Sequence, residues 1–193
     1  MVIVKKRWEQ KHDIHEINAG FEETMEIRDA EAGDMEGIRA TYNDVLTSST
    51  AIYNDNPATR AERLAWWRGR VERGFPVIVA VNEERVLGFA TVGEFRSGSG
   101  YRFTVEVTVH VDREARGQGV GTALVGELVE RTRRMGKHVM VAGVDAENAT
   151  SLRFLERLGF ERVGTLPEVG YKFGQYLNLV FLQYWITPPV LPR

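Results

Sequence analysis

The sequence contains no cysteine. Disulfides, thiolate metal sites and a cysteine nucleophile are excluded at once. Histidine is scarce as well: His12, His15, His110 and His138 are too scattered to suggest a ligand set, so no metal is expected. No apolar run approaches the length of a membrane span. Lys5, Lys6 and Arg7 are followed by a polar stretch from Trp8 to Asp13, where a signal peptide needs an apolar core. Charge of one sign is not in excess either. A formal net charge of −2 argues against a general role on nucleic acid or on a membrane surface. There is no internal repeat and no low-complexity segment.

What remains is the composition of an ordinary globular protein. Its 193 residues, 43% hydrophobic and 27% charged, suit one α/β domain with a sizeable core. A cytoplasmic protein is expected. Residues 1–24 show no convincing period and read as an N-terminal extension, partly disordered. The domain is expected over 25–187, with a Pro-rich tail at 188–193.

Within that span strand and helix patterns alternate. Glu26-Ile27-Arg28 reads as a first strand, and Asp34 as the N-cap of a helix carrying Met35, Ile38, Tyr42, Val45 and Leu46. Thr47 to Pro57 is rich in hydroxyls. It is read as a surface loop with Ser and Thr caps, a substrate loop being the alternative. Thr59-Arg60-Ala61-Glu62 has the capping-box spacing and opens a second helix, stopped near Gly74. Val77 to Val81 is apolar throughout, the mark of a strand buried on both faces. Val86 to Val92 is its hairpin partner, and Gly93 to Gly100 the next connection. After the central strand and helix described below, Val139 to Val144 is another buried strand, joined by a helical crossover and therefore parallel. Ala149 to Leu158 is a helix ended by Gly159. Phe160 to Leu166 and Leu177 to Ile186 are the last strands.

One stretch organises the rest. Val105, Val107, Val109 and Val111 alternate with Glu106, Thr108 and His110, so this strand has one strongly apolar face. A charged loop follows, then Gly117, Gly119 and Gly121, then Val120, Leu124 and Leu128 at helical spacing. Strand, glycine-rich turn and helix together place unpaired backbone N–H groups at a helix N-terminus, where an anion is favoured. A diphosphate is the expected guest. Neither the dinucleotide pattern G-x-G-x-x-G nor G-x-x-x-x-G-K-[ST] fits the spacing.

Arg116-x-x-Gly119-x-Gly121 directly after a valine-rich strand resembles the pyrophosphate-binding motif of the GNAT superfamily of acyl-CoA-dependent N-acetyltransferases. Further segments narrow the resemblance to the phosphinothricin and methionine-sulfoximine N-acetyltransferase group. They are Thr50 to Asn54, Gly74 to Ala80, Thr104-Val105-Glu106, Arg116 to Gly121, Asn148, Leu158-Gly159-Phe160 and Val169 to Gly174. The resemblance implies an α/β GNAT-type fold: a central mixed, twisted sheet of about six to seven strands flanked by about four helices. It also implies acetyl-CoA as co-substrate, held by Val109, His110, Val111, Arg116, Gly117, Gln118, Gly119, Val120, Gly121 and Asn148. A small amine acceptor would sit against Phe95, Arg96, Ser97, Val105 and Val107, and the protein would be a homodimer.

Glu106 lies on the strand face opposite the valines. Acetyl transfer needs a neutral amine, and free amines are mostly protonated at neutral pH, so a partly buried carboxylate is a suitable general base. Glu106 matches the glutamate assigned as catalytic in the group. His110, at the loop end of the strand, reads as a polar residue near the surface. Backbone amides near Val109 and Val111 are expected to polarise the thioester carbonyl. Three positions depart from the group: Leu155 where an imidazole is common, Phe95 for Trp, and Asn178 for Asp. The acyl-CoA half of the pattern is thus intact, while the acceptor half has drifted. Leu155 leaves water, Tyr171 or Tyr176 as the proton donor to the departing thiolate. A non-catalytic acyl-CoA-binding module and a protein N-acetyltransferase are the alternatives.

Overall fold

The computed structural model describes residues 25–83 and 85–188. The extension at 1–24 and most of the Pro-rich tail lie outside the described residues. Seven strands form one mixed sheet: β1 (Glu26–Asp29), β2 (Val77–Asn82), β3 (Arg85–Glu94), β4 (Thr104–Val111), β5 (Val139–Asp145), β6 (Glu161–Lys172) and β7 (Gln175–Trp185). Their order is β1-β2-β3-β4-β5-β7-β6. Four α-helices flank it among the described residues: α1 (Met35–Ser48), α2 (Arg60–Glu72), α3 (Val120–Arg134) and α4 (Ala149–Arg157).

The continuous apolar run of β2 follows from helices on both faces. Ile78 and Ala80 join a core with Leu124 and Leu128 of α3 and Leu152 of α4. Val77, Val79 and Val81 face Met35 and Ile38 of α1, with Trp66 and Trp67 of α2 packed against them. Complete burial of a side chain such as Leu124 contributes about 1.5–3 kcal/mol relative to exposure.

Local chemistry explains the helix ends, with one correction. Thr59 and Glu62 form the expected capping box: Glu62 N–H donates to Thr59 Oγ1 at 3.2 Å, and Thr59 N–H to Glu62 Oε2 at 2.7 Å. Asp34 does not cap α1 with its side chain. Its carboxylate instead accepts both Arg28 terminal nitrogens, at 2.7 and 2.8 Å, and the Glu31 N–H at 2.7 Å. A bidentate guanidinium outcompetes a lone helix amide.

Two boundaries also differ from the pattern-based reading. Gly93, expected to begin a connection, extends β3 and pairs with Glu106 of β4. β6 runs on to Lys172 because bulges between Arg162 and Gly164 and between Leu166 and Gly170 interrupt its alternation. A tight turn at Phe173 (φ 50°) and Gly174 (φ 79°) then feeds β7.

The feature that positions the site is a parting of two strands. Every pairing is antiparallel except β4 with β5, and that pairing covers only Thr104↔Val139, Val105↔Met140 and Glu106↔Val141. Beyond Glu106 the strands diverge, leaving a wedge open toward the loop at 112–119.

Candidate functional site

One wall of the wedge is the unpaired edge of β4. Asp112 N–H donates to Leu87 O on β3 at 2.9 Å. Backbone groups alternate sides along a strand, so the amides of Val107, Val109 and Val111 face the wedge while that of His110 faces β3. Val109 and Val111 are only partly buried. An extended polar chain laid in the wedge could pair with these amides as an added strand would.

The floor of the wedge's open end is the N-terminus of α3. Gly117 and Gly119 take the left-handed conformation, at φ 76° and 77°, which lets the loop bring its amides round to the helix start. Gly121 is a glycine for another reason. A Cβ there would stand 3.1 Å from Phe154 of α4, so the constraint is helix packing. The loop is braced by charge and amide contacts. Arg113 pairs with Asp44 of α1 at 2.9 Å, and Gln118 Nε2 donates to Glu114 O at 2.8 Å. Arg116 donates Nε–H to Val111 O at 3.2 Å, and its terminal nitrogen lies 3.7 Å from Asp44. Arg116, Gly117 and Gln118 are exposed, Gly119 is half-buried and Val120 is buried in the core. Exposed guanidinium beside clustered amides can hold a diphosphate.

At the apex stands Glu106, the last β4 residue paired to β5. A Cβ on exposed Gly143 of β5 would lie 3.6 Å from its Oε1, and 3.3 Å from Leu179 of β7. Burial pushes the Glu106 carboxyl above its ordinary value, and the nearby Arg70 and Arg96 guanidinium groups pull against that rise. Beside it Phe95 meets Tyr101 and Phe181 edge-on, with ring centroids 6.0 and 6.2 Å apart. Arg96 lies over the Phe95 ring, 5.2 Å from its centroid; both Arg96 and Ser97 are exposed. Val105 and Val107 point the other way, into the core under α3.

His110 is not a surface residue. Its ring packs against Phe89 and Tyr42, with centroids 5.4 and 6.4 Å apart. Burial chiefly, with Arg116 and Arg63 adding to it, pushes its pKa down to about 4, so the ring is neutral near pH 7. Asn148 caps α4 by accepting the Ser151 N–H at 3.0 Å. Leu155 is buried in the core. Tyr171 and Tyr176 are 60% and 67% exposed near the tip of the β6–β7 hairpin, their rings edge-on to each other.

Two residues that the sequence pattern did not single out organise the surroundings. Arg70 of α2 reaches over Gly93 and donates Nη1–H to Val92 O at 3.0 Å. Lys172 is 2% exposed, and its ammonium donates to Leu46 O, Ser49 O and Ile52 O at 2.6, 2.9 and 2.7 Å. The loop after α1 is thereby pinned to β6. Its hydroxyls serve as caps: Thr47 and Ser49 donate to Asn43 O and Val45 O at 2.8 and 2.7 Å. Tyr53 lies over Gly170, where a Cβ would come within 2.4 Å, and donates to Asn178 O at 3.3 Å. Gly93 and Gly170 mark these close approaches once they are seen to lie inside β3 and β6, where the sequence pattern had not placed them.

Comparison with known proteins agrees with this arrangement. The sequence profile of the acetyltransferase (GNAT) family matches residues 38–160. The L-methionine sulfoximine/L-methionine sulfone acetyltransferase of Pseudomonas aeruginosa is 45% identical over 163 residues, 84% of this chain and 95% of the relative. The L-amino acid N-acyltransferase MnaT of Escherichia coli is 40% identical over 159 residues, 82% of this chain and 92% of the relative. A GNAT superfamily phosphinothricin acetyltransferase from Sinorhizobium meliloti, solved in complex with acetyl-CoA, is 34% identical. It superposes with a TM-score of 0.80, covering 84% of this chain and 89% of its own.

Proposed function

The chain belongs to the acetyltransferase (GNAT) family and is an N-acetyltransferase, and from that premise we propose that its acceptor is a small α-amino acid. Methionine sulfoximine, methionine sulfone and phosphinothricin define the type. The observation that carries the reading is the placement of Glu106 at the apex of the β4–β5 wedge, between an open backbone edge and the Arg96 guanidinium.

Coenzyme A suits the groups present. The free amides of Val109 and Val111 match an extended amide-bearing arm, and the left-handed Gly117–Gly119 turn with Arg116 matches a diphosphate. Acetyl-CoA supplies the acetyl group as a thioester. Glu106 accepts the proton of the acceptor amine, directly or through water, so that the neutral amine attacks in a ternary complex. The backbone amides on the β4 edge donate to oxygen as charge develops there. No acyl-enzyme is expected in a chain without cysteine. Leu155 lies in the core, which leaves water or the hydroxyl of Tyr171 or Tyr176 as donor to the departing thiolate, and a Tyr171→Phe/Tyr176→Phe double variant with full activity would leave water.

Arg96 anchors the acceptor carboxylate, since a planar fork can hold it with two hydrogen bonds. Val163, Leu166, Val169, Phe173 and the two tyrosines are exposed apolar or aromatic side chains on the β6–β7 hairpin. They favour a homodimer through this face. Among the described residues no helix is long and apolar enough to cross a membrane. A cytoplasmic location gives the enzyme its acetyl-CoA.

The test is thiol release from acetyl-CoA with amino acids, their decarboxylated analogues and peptides with free N-termini. Amino acids should turn over, and decarboxylation should cost about a hundredfold in kcat/KM by removing the charge-assisted hydrogen bonds to Arg96 that orient the acceptor. Equal rates with simple alkylamines, or an intact kcat/KM in Arg96→Ala, would reject the carboxylate anchor. Preferred peptides would indicate a protein N-acetyltransferase. Binding of acetyl-CoA without turnover of any amine would leave a sensing module.

A further inference from the structure

Gly93 and Glu106 are directly paired across β3 and β4. Side chains of such a pair stand on the same face, with Cβ atoms about 4.5–5.5 Å apart. Gly93 has no side chain, and its place is taken. Arg70 Nη1 lies 1.4 Å from where a Cβ on Gly93 would be, with Cζ at 2.5 Å and Nη2 at 2.9 Å. A guanidinium delivered by α2 is thus the cross-strand neighbour of the glutamate. It is held there by Nη1–H donation to Val92 O at 3.0 Å, while its Nε–H is buried without a partner.

We propose that Arg70 is a positioning residue acting through Glu106: seated in the space that Gly93 leaves, it is the counter-charge that keeps the carboxylate ready to take the proton of the acceptor amine. This deepens the assignment of Glu106 as base and rests on it. Burial lowers the pKa of Arg70 itself, as does Arg73, but a guanidinium stays charged at any working pH. The charged groups around the pair are few. Arg96 acts on Glu106 from the β3–β4 connection, and Glu94 acts on Arg70 from β3. From β5 and β7, Gly143 and Leu179 contribute no charge. On the same face of β4, Thr108 separates Glu106 from neutral His110. Arg96 is exposed and is free to engage a substrate, whereas Arg70 is fixed by its seat. The division assigns the half-buried cation to the base and the exposed one to the acceptor.

The experiment is the pH dependence of kcat from pH 5.5 to 9.5, with saturating acetyl-CoA and L-methionine sulfone, in wild type, Arg70→Met, Arg70→Lys and Glu106→Gln. Glu106→Gln should abolish the acid limb. Arg70→Met should displace that limb to higher pH, with about a tenfold loss at pH 6.5 that vanishes by pH 9. Arg70→Lys should keep the limb close to wild type. A loss in Arg70→Met that is the same at every pH would mean that Arg70 only braces α2 against β3, and would overturn the proposal. An acid limb that survives in Glu106→Gln would instead remove Glu106 as the base, and Arg70's role with it. Gly93→Ala is the second variant should Arg70→Met not fold. Its Cβ must expel the guanidinium, so the limb should move in the same direction, and an unmoved limb would count against the seat.

Discussion

The two halves of the site are built by different means. On the proposed reading the coenzyme side is made of consecutive residues, from Val107 through Gly121, and works through backbone: amides of β4 beyond its pairing with β5 and left-handed glycines at the head of α3. The acceptor side is assembled from distant pieces. Arg70 comes from α2 and Arg96 from the β3–β4 connection, and both act on the Glu106 carboxylate of β4. A backbone device needs only the right conformations in the right order, so it tolerates change in most side chains. An assembled pocket depends on which side chains meet. The difference explains how a chain can keep the coenzyme pattern while Phe95, Leu155 and Asn178 depart from the group it resembles.

Separating the halves by mutation gives the largest expected effect. Glu106→Gln should lower kcat by about 10²- to 10⁴-fold, the usual range for a general base. Acetyl-CoA affinity, measured by calorimetry, should change less than about twofold, because the β4 edge amides and the glycine turn are untouched. Near-wild-type turnover at pH 7 would remove Glu106 from the chemistry and leave the acceptor half without a base.

The same division governs what could be read before the fold was known. Period-2 valines and alternate glycines sit in one window, and the structure has the strand, turn and helix they announce. The seven-stranded sheet with four helices also agrees with the pattern, since amphipathic period reports burial directly. Gly93 was legible only as a loop residue: nothing local distinguishes a glycine that begins a turn from one that admits an arginine from another helix. Lys172 lies inside the Val169 to Gly174 segment of the resemblance, which gave it no role of its own. Its neighbours Tyr171 and Phe173 announce no burial, which comes from the carbonyls of Leu46, Ser49 and Ile52 at the end of α1 and in the loop after it. His110 was misplaced for the same reason. Its partners Tyr42 and Phe89 lie on other elements, and sequence neighbours gave it only a position near a loop.

Lys172→Met should give the next largest effect, and it tests whether the loop after α1 belongs to the acceptor half. It keeps the stem but leaves the carbonyls of Leu46, Ser49 and Ile52 without their donor, a loss of about 2–4 kcal/mol in urea unfolding. With the loop released, KM for the acceptor should rise about tenfold while acetyl-CoA affinity holds. A loss of stability with both constants unchanged would show that the loop is structural and not part of the pocket. Gly119→Val makes the reciprocal cut. A β-branched residue at φ 77° costs about 1–2 kcal/mol, so acetyl-CoA should bind about tenfold more weakly in a protein that still folds. Unchanged affinity would reduce the glycine turn to a helix start.

His110 gives the smallest effect, and it tests where the boundary between the halves runs. The residue belongs to the coenzyme strand by sequence, yet its ring lies on the Glu106 face among Tyr42, Phe89 and Arg63. Burial, with Arg116 and Arg63 behind it, holds its pKa at about 4, below the ordinary histidine value near 6.5. The folded protein therefore resists the proton that the unfolded chain accepts. The stability tied to the neutral ring is complete above pH 6.5, and it is lost progressively as pH falls from there through about 4. Below that, both states are protonated and no further loss arises from this group. The ring keeps some accessible surface, so solvent screening trims the expected loss to about 1–3 kcal/mol. His110→Phe fills the same aromatic slot without a titrating nitrogen. Urea unfolding at pH 7.5 and pH 4.5 should show a smaller difference between the two conditions in the variant than in wild type, by that amount. Acetyl-CoA affinity should stay the same, because the His110 amide points to β3 and not into the wedge. If the variant instead binds acetyl-CoA weakly and keeps the full acid sensitivity, the imidazole belongs to the coenzyme half after all, and the face of β4 does not separate the two.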